Sequence, residues 1–166
     1  MKRLLFLLLF SFSGIICAQD MDNNKLQELI KKNADTLNGS LGNWKFIYKK
    51  IPMLCVTDQT NNRMRIISPI TSSNSLDKDL LLDTMTANFH SALDVKYAIS
   101  NEILWSVYIH PLKELSTEQV ESAISQVYYA AITFGTTFSS TKFLFGGNNI
   151  ETKTKDKIKN DKIQRF

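Results

Sequence analysis

Two strand-forming segments lead directly into a long amphipathic segment between residues 94 and 138, and this stretch limits the folds open to the chain. Val95–Ser100 and Ile103–His110 are rich in β-branched and aromatic residues, and only Asn101 and Glu102 separate them. So short a connection predicts a tight β-hairpin, which joins antiparallel strands.

The segment after the hairpin carries a complete set of helix-start signals. Ser116 is placed to cap the helix, and Gln119, three residues later, is its capping-box partner. Leu115 and Val120 occupy the hydrophobic-staple positions. Apolar residues then recur at helical spacing as far as Phe138, which predicts one long helix with one apolar stripe. A helix of this length needs a broad apolar surface, and the hairpin supplies part of it.

One helix and three strands are predicted at the beginning of the domain. The pattern from Leu26 to Leu37 indicates an amphipathic helix, and the alternation from Trp44 to Tyr48 indicates a half-buried strand. Two more strands are expected at Met53–Thr57 and Arg63–Ile70, and Pro69 should end or fray the second of them.

A further helix is predicted to begin near Asp77, which can act as its N-cap. Its apolar residues are expected to be buried: Leu81, Met85, Phe89 and Ala92, with Leu82 and Leu93 beside them. The order is therefore helix, three strands, helix, two strands, helix. Strands in consecutive runs predict the α+β class, with a mainly antiparallel five-stranded sheet and helices packed on one face.

Residues 1–18 have the pattern of a secretory signal peptide. Met1-Lys2-Arg3 is basic, Leu4–Phe12 is almost entirely Leu and Phe, and small residues follow at Cys17-Ala18. Cleavage after Ala18 predicts an exported protein, periplasmic or extracellular, with no integral membrane segment after cleavage. Lipid anchoring at Cys17 is disfavoured because Ile16 is bulky for the preceding position, and an uncleaved anchor is disfavoured because the apolar run is short.

Positive charge is concentrated at the ends of the chain. The net charge is +4, and residues 151–166 hold six basic and three acidic residues without an apolar face. That composition predicts a disordered basic tail. Residues 19–150, expected to form a single α+β domain, hold twelve basic and thirteen acidic residues. A nearly neutral domain lacks the basic face of a nucleic-acid-binding protein, so no nucleic-acid partner is expected.

Residues that could act in catalysis or bind a metal are few and scattered along the sequence. Cys55 lies in an apolar strand and is predicted to be a buried, inert thiol. His90 and His110 lack the spacing of metal ligands, so no metal or cofactor site is predicted. A catalytic site would require Asp94, Glu102 and His110 to gather in one cleft, which their spacing does not demand. No catalytic residue is assigned.

Aromatic residues in both sets of strands form the candidate contact surface. Strand alternation should place some of them on the outer side of the sheet, where an aromatic patch can bind partners; the candidates are Trp44, Tyr97, Trp105 and Tyr108. The alternative is that these rings complete a single core.

The order of elements, with Trp105–Pro111 leading into the capped helix Ser116–Phe138, resembles the type III secretion chaperone-like fold. More narrowly, the stretch from about Leu26 to Phe138 is similar to the YbjN-like bacterial sensory-transduction-regulator family. The resemblance implies a small, often dimeric protein that holds a peptide or partner and performs no chemistry. The signal peptide is a departure, because secretion chaperones work in the cytoplasm, and fold alone does not fix function.

Three functions remain open on the sequence. The leading hypothesis is an exported, non-enzymatic protein- or peptide-binding domain, with a homodimer expected, that uses the exposed sheet face or the groove between helix and sheet. The first alternative is a small periplasmic hydrolase or metal-dependent enzyme. The second is an inhibitor or accessory subunit of an envelope complex.

Overall fold

Residues 20–141 are described by the computed structural model and consist of one antiparallel sheet and its helices. The helices are α1 (Asn23–Asn33), α2 (Lys78–His90) and α3 (Thr117–Thr133), and a 3-10 turn (Ser73–Ser75) precedes α2. The strands are β1 (Thr36–Ser40), β2 (Asn43–Tyr48), β3 (Ile51–Asp58), β4 (Arg63–Ser72), β5 (Lys96–Ser100) and β6 (Ile103–His110). The predicted signal peptide and basic tail lie outside the described residues.

All six strands are antiparallel to their neighbours, in the order β1-β2-β3-β4-β6-β5. The α+β prediction is confirmed, but the sheet has six strands where five were predicted. The additional strand is β1, an edge strand of sequence T-L-N-G-S that is almost fully exposed. Leu37, its only large apolar residue, was predicted to belong to the first helix, but that helix ends at Asn33. With no second large apolar residue in the strand, no hydrophobic alternation marks it.

The core lies on the inner face of the sheet, which α1 and α3 cover. The Trp44 indole nitrogen donates to the Gln27 side chain of α1 at 2.9 Å. The Ser106 hydroxyl donates to the carbonyl of Val127 in α3 at 3.1 Å. The capping box of α3 is formed as predicted, and the apolar side of α3 is buried at Val120, Ala123, Ile124, Val127, Ala130 and Ala131. The long helix therefore lies across the centre of the sheet.

Pro69 does not end β4, contrary to the prediction. The strand continues to Ser72, and its register with β6 shifts between Pro69 and Thr71. A bulge accommodates a residue that cannot donate to the ladder, because the strand bends locally instead of breaking.

Helix α2 lies beside the β5 edge of the sheet. The Asn88 side chain accepts a hydrogen bond from the Tyr97 backbone N–H at 2.7 Å and donates to the Tyr97 carbonyl at 3.1 Å. The Lys96 ammonium donates to the carbonyls of Asn88 and Leu93, near the end of the helix. The helix is thus attached to β5 largely by polar contacts.

The prediction that α2 buries its apolar stripe is wrong for three of the four residues. Ala92 is buried, but Leu81 is 39% exposed, Met85 60% and Phe89 86%. The buried side of the helix carries Thr84 and Ala87 instead. Because α1 and α3 already cover the inner face, α2 is left at the edge with its larger side chains turned outward. None of the helices within residues 20–141 is long and apolar enough to cross a membrane.

Candidate protein-binding surfaces

The four candidate aromatic residues do not share one surface. Trp44, Tyr97 and Tyr108 lie on the inner face and are 1%, 4% and 5% exposed. Only Trp105 lies on the other side, half-buried, with its indole nitrogen donating to the Ser100 carbonyl at 3.1 Å. The prediction of an outward aromatic patch is therefore wrong for three of the four residues. These three belong to the core, which was the alternative interpretation. The reason is register, since Tyr97 pairs with buried Ser106 and Trp44 with buried Cys55.

Burial also changes the acidity of the two tyrosines among these residues. Burial raises the pKa of the Tyr97 hydroxyl, which donates to the Ala130 carbonyl of α3 at 2.9 Å. Burial raises the pKa of Tyr108 as well, and the nearby Asp94 carboxylate adds to this effect. Both phenols stay neutral at physiological pH and belong to the packed interior.

A second apolar surface lies on the side of the sheet away from α1 and α3, and Trp105 is the only one of its residues that the sequence singled out as a contact residue. We call it the outer face and define it by six side chains: Leu54, Val56, Ile67, Trp105, Val107 and Ile109. Val56 is 37% exposed and Ile109 is 59% exposed, while the others are half-buried. None of the described helices covers this surface.

A signal for the outer face was present in the sequence. The central strands are apolar at consecutive positions, as in Leu54-Cys55-Val56 and Val107-Tyr108-Ile109. Strict alternation predicts a strand with one wet face, whereas consecutive apolar residues indicate a strand that is covered on both faces. The described chain covers only one of them.

A third group of apolar side chains lies on α2. We call it the α2 stripe and define it as Leu81, Leu82, Met85 and Phe89. At 3.6 residues per turn these four side chains share the side of the helix opposite Thr84 and Ala87. The stripe has no described partner element, which makes it a candidate for contact with another chain.

The candidate chemical residues are not gathered in a cleft. Glu102 precedes β6 and His110 ends it, so the two are separated by the length of the strand. The Asp94 carboxylate is held by the Gln126 side chain of α3 at 3.0 Å. Within residues 20–141 no group of His, Cys, Asp and Glu is arranged to hold a metal ion. Cys55 is fully buried, and burial raises the pKa of its thiol well above its usual range.

No protein-family model matches the chain, and no curated protein matches it in sequence. Solved structures with a similar fold were found. One is the Yersinia pestis type III secretion chaperone SycH in complex with a stable fragment of YscM2. The identity is 13%, 68% of this chain and 98% of that chain are covered, and the TM-score is 0.52.

Two further structures are similar to the same degree. SchA in the HopA1-SchA chaperone-effector complex is 10% identical, with 66% of this chain and 88% of that chain covered and a TM-score of 0.52. ExsC in the ExsC-ExsE complex is 11% identical, with 67% of this chain and 92% of that chain covered and a TM-score of 0.52. At these identities the likeness concerns the fold alone. The chain has a type III secretion chaperone-like fold.

Proposed function

We propose that this chain is an exported, non-enzymatic protein-binding domain that holds a partner protein on the outer face. The observation that carries the proposal is the uncovered apolar centre of this face, formed by three neighbouring strands, β3, β4 and β6. Contiguous exposed apolar patches on soluble domains mark sites of protein–protein contact.

Two further observations support the proposal. The three similar structures are complexes in which a protein partner is bound. The candidate catalytic residues are dispersed, with Glu102 and His110 at opposite ends of β6. Export rests on the signal-peptide pattern of residues 1–18, and the likeness to the YbjN-like family rests on the order of the helices and strands predicted from the sequence.

A capture experiment with matched variants tests the outer face. Tagged full-length protein is used to capture partners from envelope fractions of the source organism, alongside Ile109→Asp and Leu41→Asp. Ile109 lies on the outer face and is 59% exposed, whereas Leu41 is 55% exposed but lies in the β1–β2 turn.

We expect wild type and Leu41→Asp to capture the same protein and Ile109→Asp to retain less than about a tenth of it, a loss of roughly 1.4 kcal/mol or more. Equal capture by all three, with circular dichroism showing folded proteins, contradicts the proposal. The identity of the captured protein also distinguishes a free binding domain from an accessory subunit or inhibitor of an envelope complex.

We further propose that a second copy of the chain covers the α2 stripe. Leu81, Met85 and Phe89 follow one another at intervals of four residues. An antiparallel pair of α2 helices with its two-fold axis at Met85 places Leu81 of one copy against Phe89 of the other, and Met85 against Met85. A two-fold interface requires such a self-complementary patch.

Sedimentation equilibrium over a range of concentrations tests the dimer. We expect a reversible dimer for wild type and Leu41→Asp, and at least about tenfold weaker association for Phe89→Asp, because the variant buries a charge in the apolar contact. A wild-type protein that stays monomeric at the highest concentration contradicts the α2 interface and leaves the outer face unaffected.

A further inference from the structure

Strand register places one row of side chains straight across five strands of the outer side of the sheet. Lys45 pairs with Leu54, and Leu54 pairs with Ile67. Ile67 in turn pairs with Val107, and Val107 with Lys96. At about 4.8 Å between strands, the row has an apolar centre about 10 Å wide, and its two lysine backbones are about 19 Å apart. Each end of the row therefore carries an ammonium group.

A second row lies beside the first and has its cation in the centre. Asn43 pairs with Val56, Val56 with Arg65, and Arg65 with Ile109. The Arg65 guanidinium thus stands between the two most exposed apolar side chains of the outer face. Within residues 20–141, the side chains of Arg65 and Lys45 have no hydrogen-bond or ion-pair partner, and the one ion pair there joins α1 to α3. Two cations on this side are accordingly available to a partner.

Negative charge is nearly lacking on the same side. The outward strand positions carry Lys45, Arg63, Arg65 and Lys96, and against them a single carboxylate, that of Asp58. Asp58 lies at the end of β3, where its side chain accepts hydrogen bonds from Asn61, and these bonds lower its pKa. Since residues 19–150 are close to neutral overall, the excess of cations is a local property of this surface.

On the basis of the proposed function, we infer that the outer face binds an amphipathic acidic segment of its partner protein. The apolar side chains of the segment pack on Leu54, Ile67 and Val107. Its Asp and Glu side chains pair with the Lys45 ammonium and the Arg65 guanidinium, which can bind a carboxylate through two parallel N–H···O bonds. Complementary charge of this kind selects the partner and speeds association more than it adds affinity.

A surface that is both apolar and basic could also bind an anionic membrane. The geometry of the outer face favours a protein partner over a membrane. Most of the apolar side chains are half-buried between strands, as they are where a second apolar layer packs on a sheet. Membrane-surface elements instead present aromatic and aliphatic side chains that enter the headgroup region. The one indole here, that of Trp105, is tied to the Ser100 carbonyl at 3.1 Å.

Two synthetic peptides provide the probes. They form the same amphipathic helix with the same Leu and Phe face, and they carry Glu in one peptide and Lys in the other at every polar position. Binding to the full-length protein is followed by the fluorescence of Trp105, since Trp44 is 1% exposed and reports little of the surface. Trp105→Phe identifies the part of the signal that comes from the outer face.

We expect the Glu peptide to bind at least about tenfold more tightly than the Lys peptide, and the difference to shrink as NaCl is raised from about 0.05 M to about 0.5 M. Arg65→Glu should abolish the preference. Lys31→Glu makes the same charge change on the exposed side of α1, away from the outer face, and should preserve the preference. Because the basic tail is present in every variant, differences among them report on the outer face.

The other possible results of the peptide experiment show which of the two proposals fails. Equal binding of the two peptides, or tighter binding of the Lys peptide, overturns the acidic partner and leaves the proposed function standing. Binding of neither peptide overturns the acidic segment, and the proposed function is then decided by the capture experiment alone. Binding of vesicles of phosphatidylglycerol and phosphatidylcholine in place of the peptides, with the same loss in Arg65→Glu, assigns the surface to a membrane and overturns the inference.

Discussion

Helices α2 and α3 are both amphipathic, and their apolar sides have opposite environments. Helix α3 lies across β4 and β6, and its apolar side chains form much of the core. Helix α2 lies along the β5 edge, where polar contacts of Asn88 hold it and Phe89 is 86% exposed. The position of a helix relative to the sheet, and not its apolar pattern alone, decides whether its stripe serves the core or is left for a partner.

The largest expected difference concerns truncation of one apolar side chain on each helix. Ile124 of α3 is 1% exposed, so Ile124→Ala should lower the free energy of unfolding by about 2–5 kcal/mol, through lost burial and the cavity that remains. Met85→Ala on α2 removes an exposed side chain and should change the monomer by less than about 0.5 kcal/mol. Urea denaturation at low protein concentration measures both. Equal losses in the two variants contradict the distinction between the helices.

A pH-dependent loss of stability is expected from Tyr97, which contacts α3. Its hydroxyl has a raised pKa because of burial, so the folded state holds the proton more tightly than the unfolded chain does. The stabilisation that this difference gives is fully present below about pH 10, the ordinary pKa of a tyrosine in the unfolded chain. As the pH rises above that value, the free energy of unfolding should fall by up to about 1.4 kcal/mol per pH unit. The difference in slope between wild type and Tyr97→Phe isolates the effect from other groups, and identical alkaline slopes would rule it out.

Loss of the polar attachment of α2 should lower stability less than truncation of the core side chain of α3, and its effect should be confined to α2. Asn88→Ala removes two hydrogen bonds to the Tyr97 backbone and is expected to cost about 1–2 kcal/mol. Amide hydrogen exchange should accelerate in α2 and leave α3 protected. Thr86→Ala is the control, since its hydroxyl bonds only within the helix, to the Leu82 carbonyl. If exchange in α2 is the same in both variants, Asn88 does not anchor the helix.

The smallest expected difference between the two helices is at their starts, where they should behave alike. Ser116 caps α3 and Asp77 caps α2, each by accepting a hydrogen bond from a backbone N–H in the first turn. Replacing either with Ala should cost about 1 kcal/mol, because capping depends on local backbone geometry. Thermal unfolding of the two variants measures this. A much larger loss for Ser116→Ala would show that the α3 cap also supports the tertiary packing.

Local signals in the sequence predicted most of the fold. The β5–β6 hairpin, the capping box at Ser116 and the cap at Asp77 depend on neighbouring residues, and all three are present in the structure. Strand β1 was missed because an exposed edge strand needs no apolar pattern. The bulge that allows Pro69 to remain within β4 also depends on the strand opposite, which no local pattern reveals.

The candidate surfaces were harder to predict, because a pattern gives the spacing of side chains and not the side that is covered. Alternation could not tell which side of the sheet Trp44 and Trp105 would occupy until register and helix positions were known. The same limit applies to α2, whose stripe at Met85 and Phe89 has the spacing of a core helix. Burial depends on the whole arrangement, in which α1 and α3 had already covered the inner face.

The Asn88 side chain makes the two borders of the sheet unequal. At β5 it occupies both backbone groups of Tyr97, as a further strand would, whereas the described chain places no backbone partner along the free side of β1. Pairing with an extra strand needs free N–H and C=O groups in sequence. Within residues 20–141, lengthening of the sheet is therefore obstructed at the β5 border and open at the β1 border, which gives assembly by strand addition on this part of the chain a single direction.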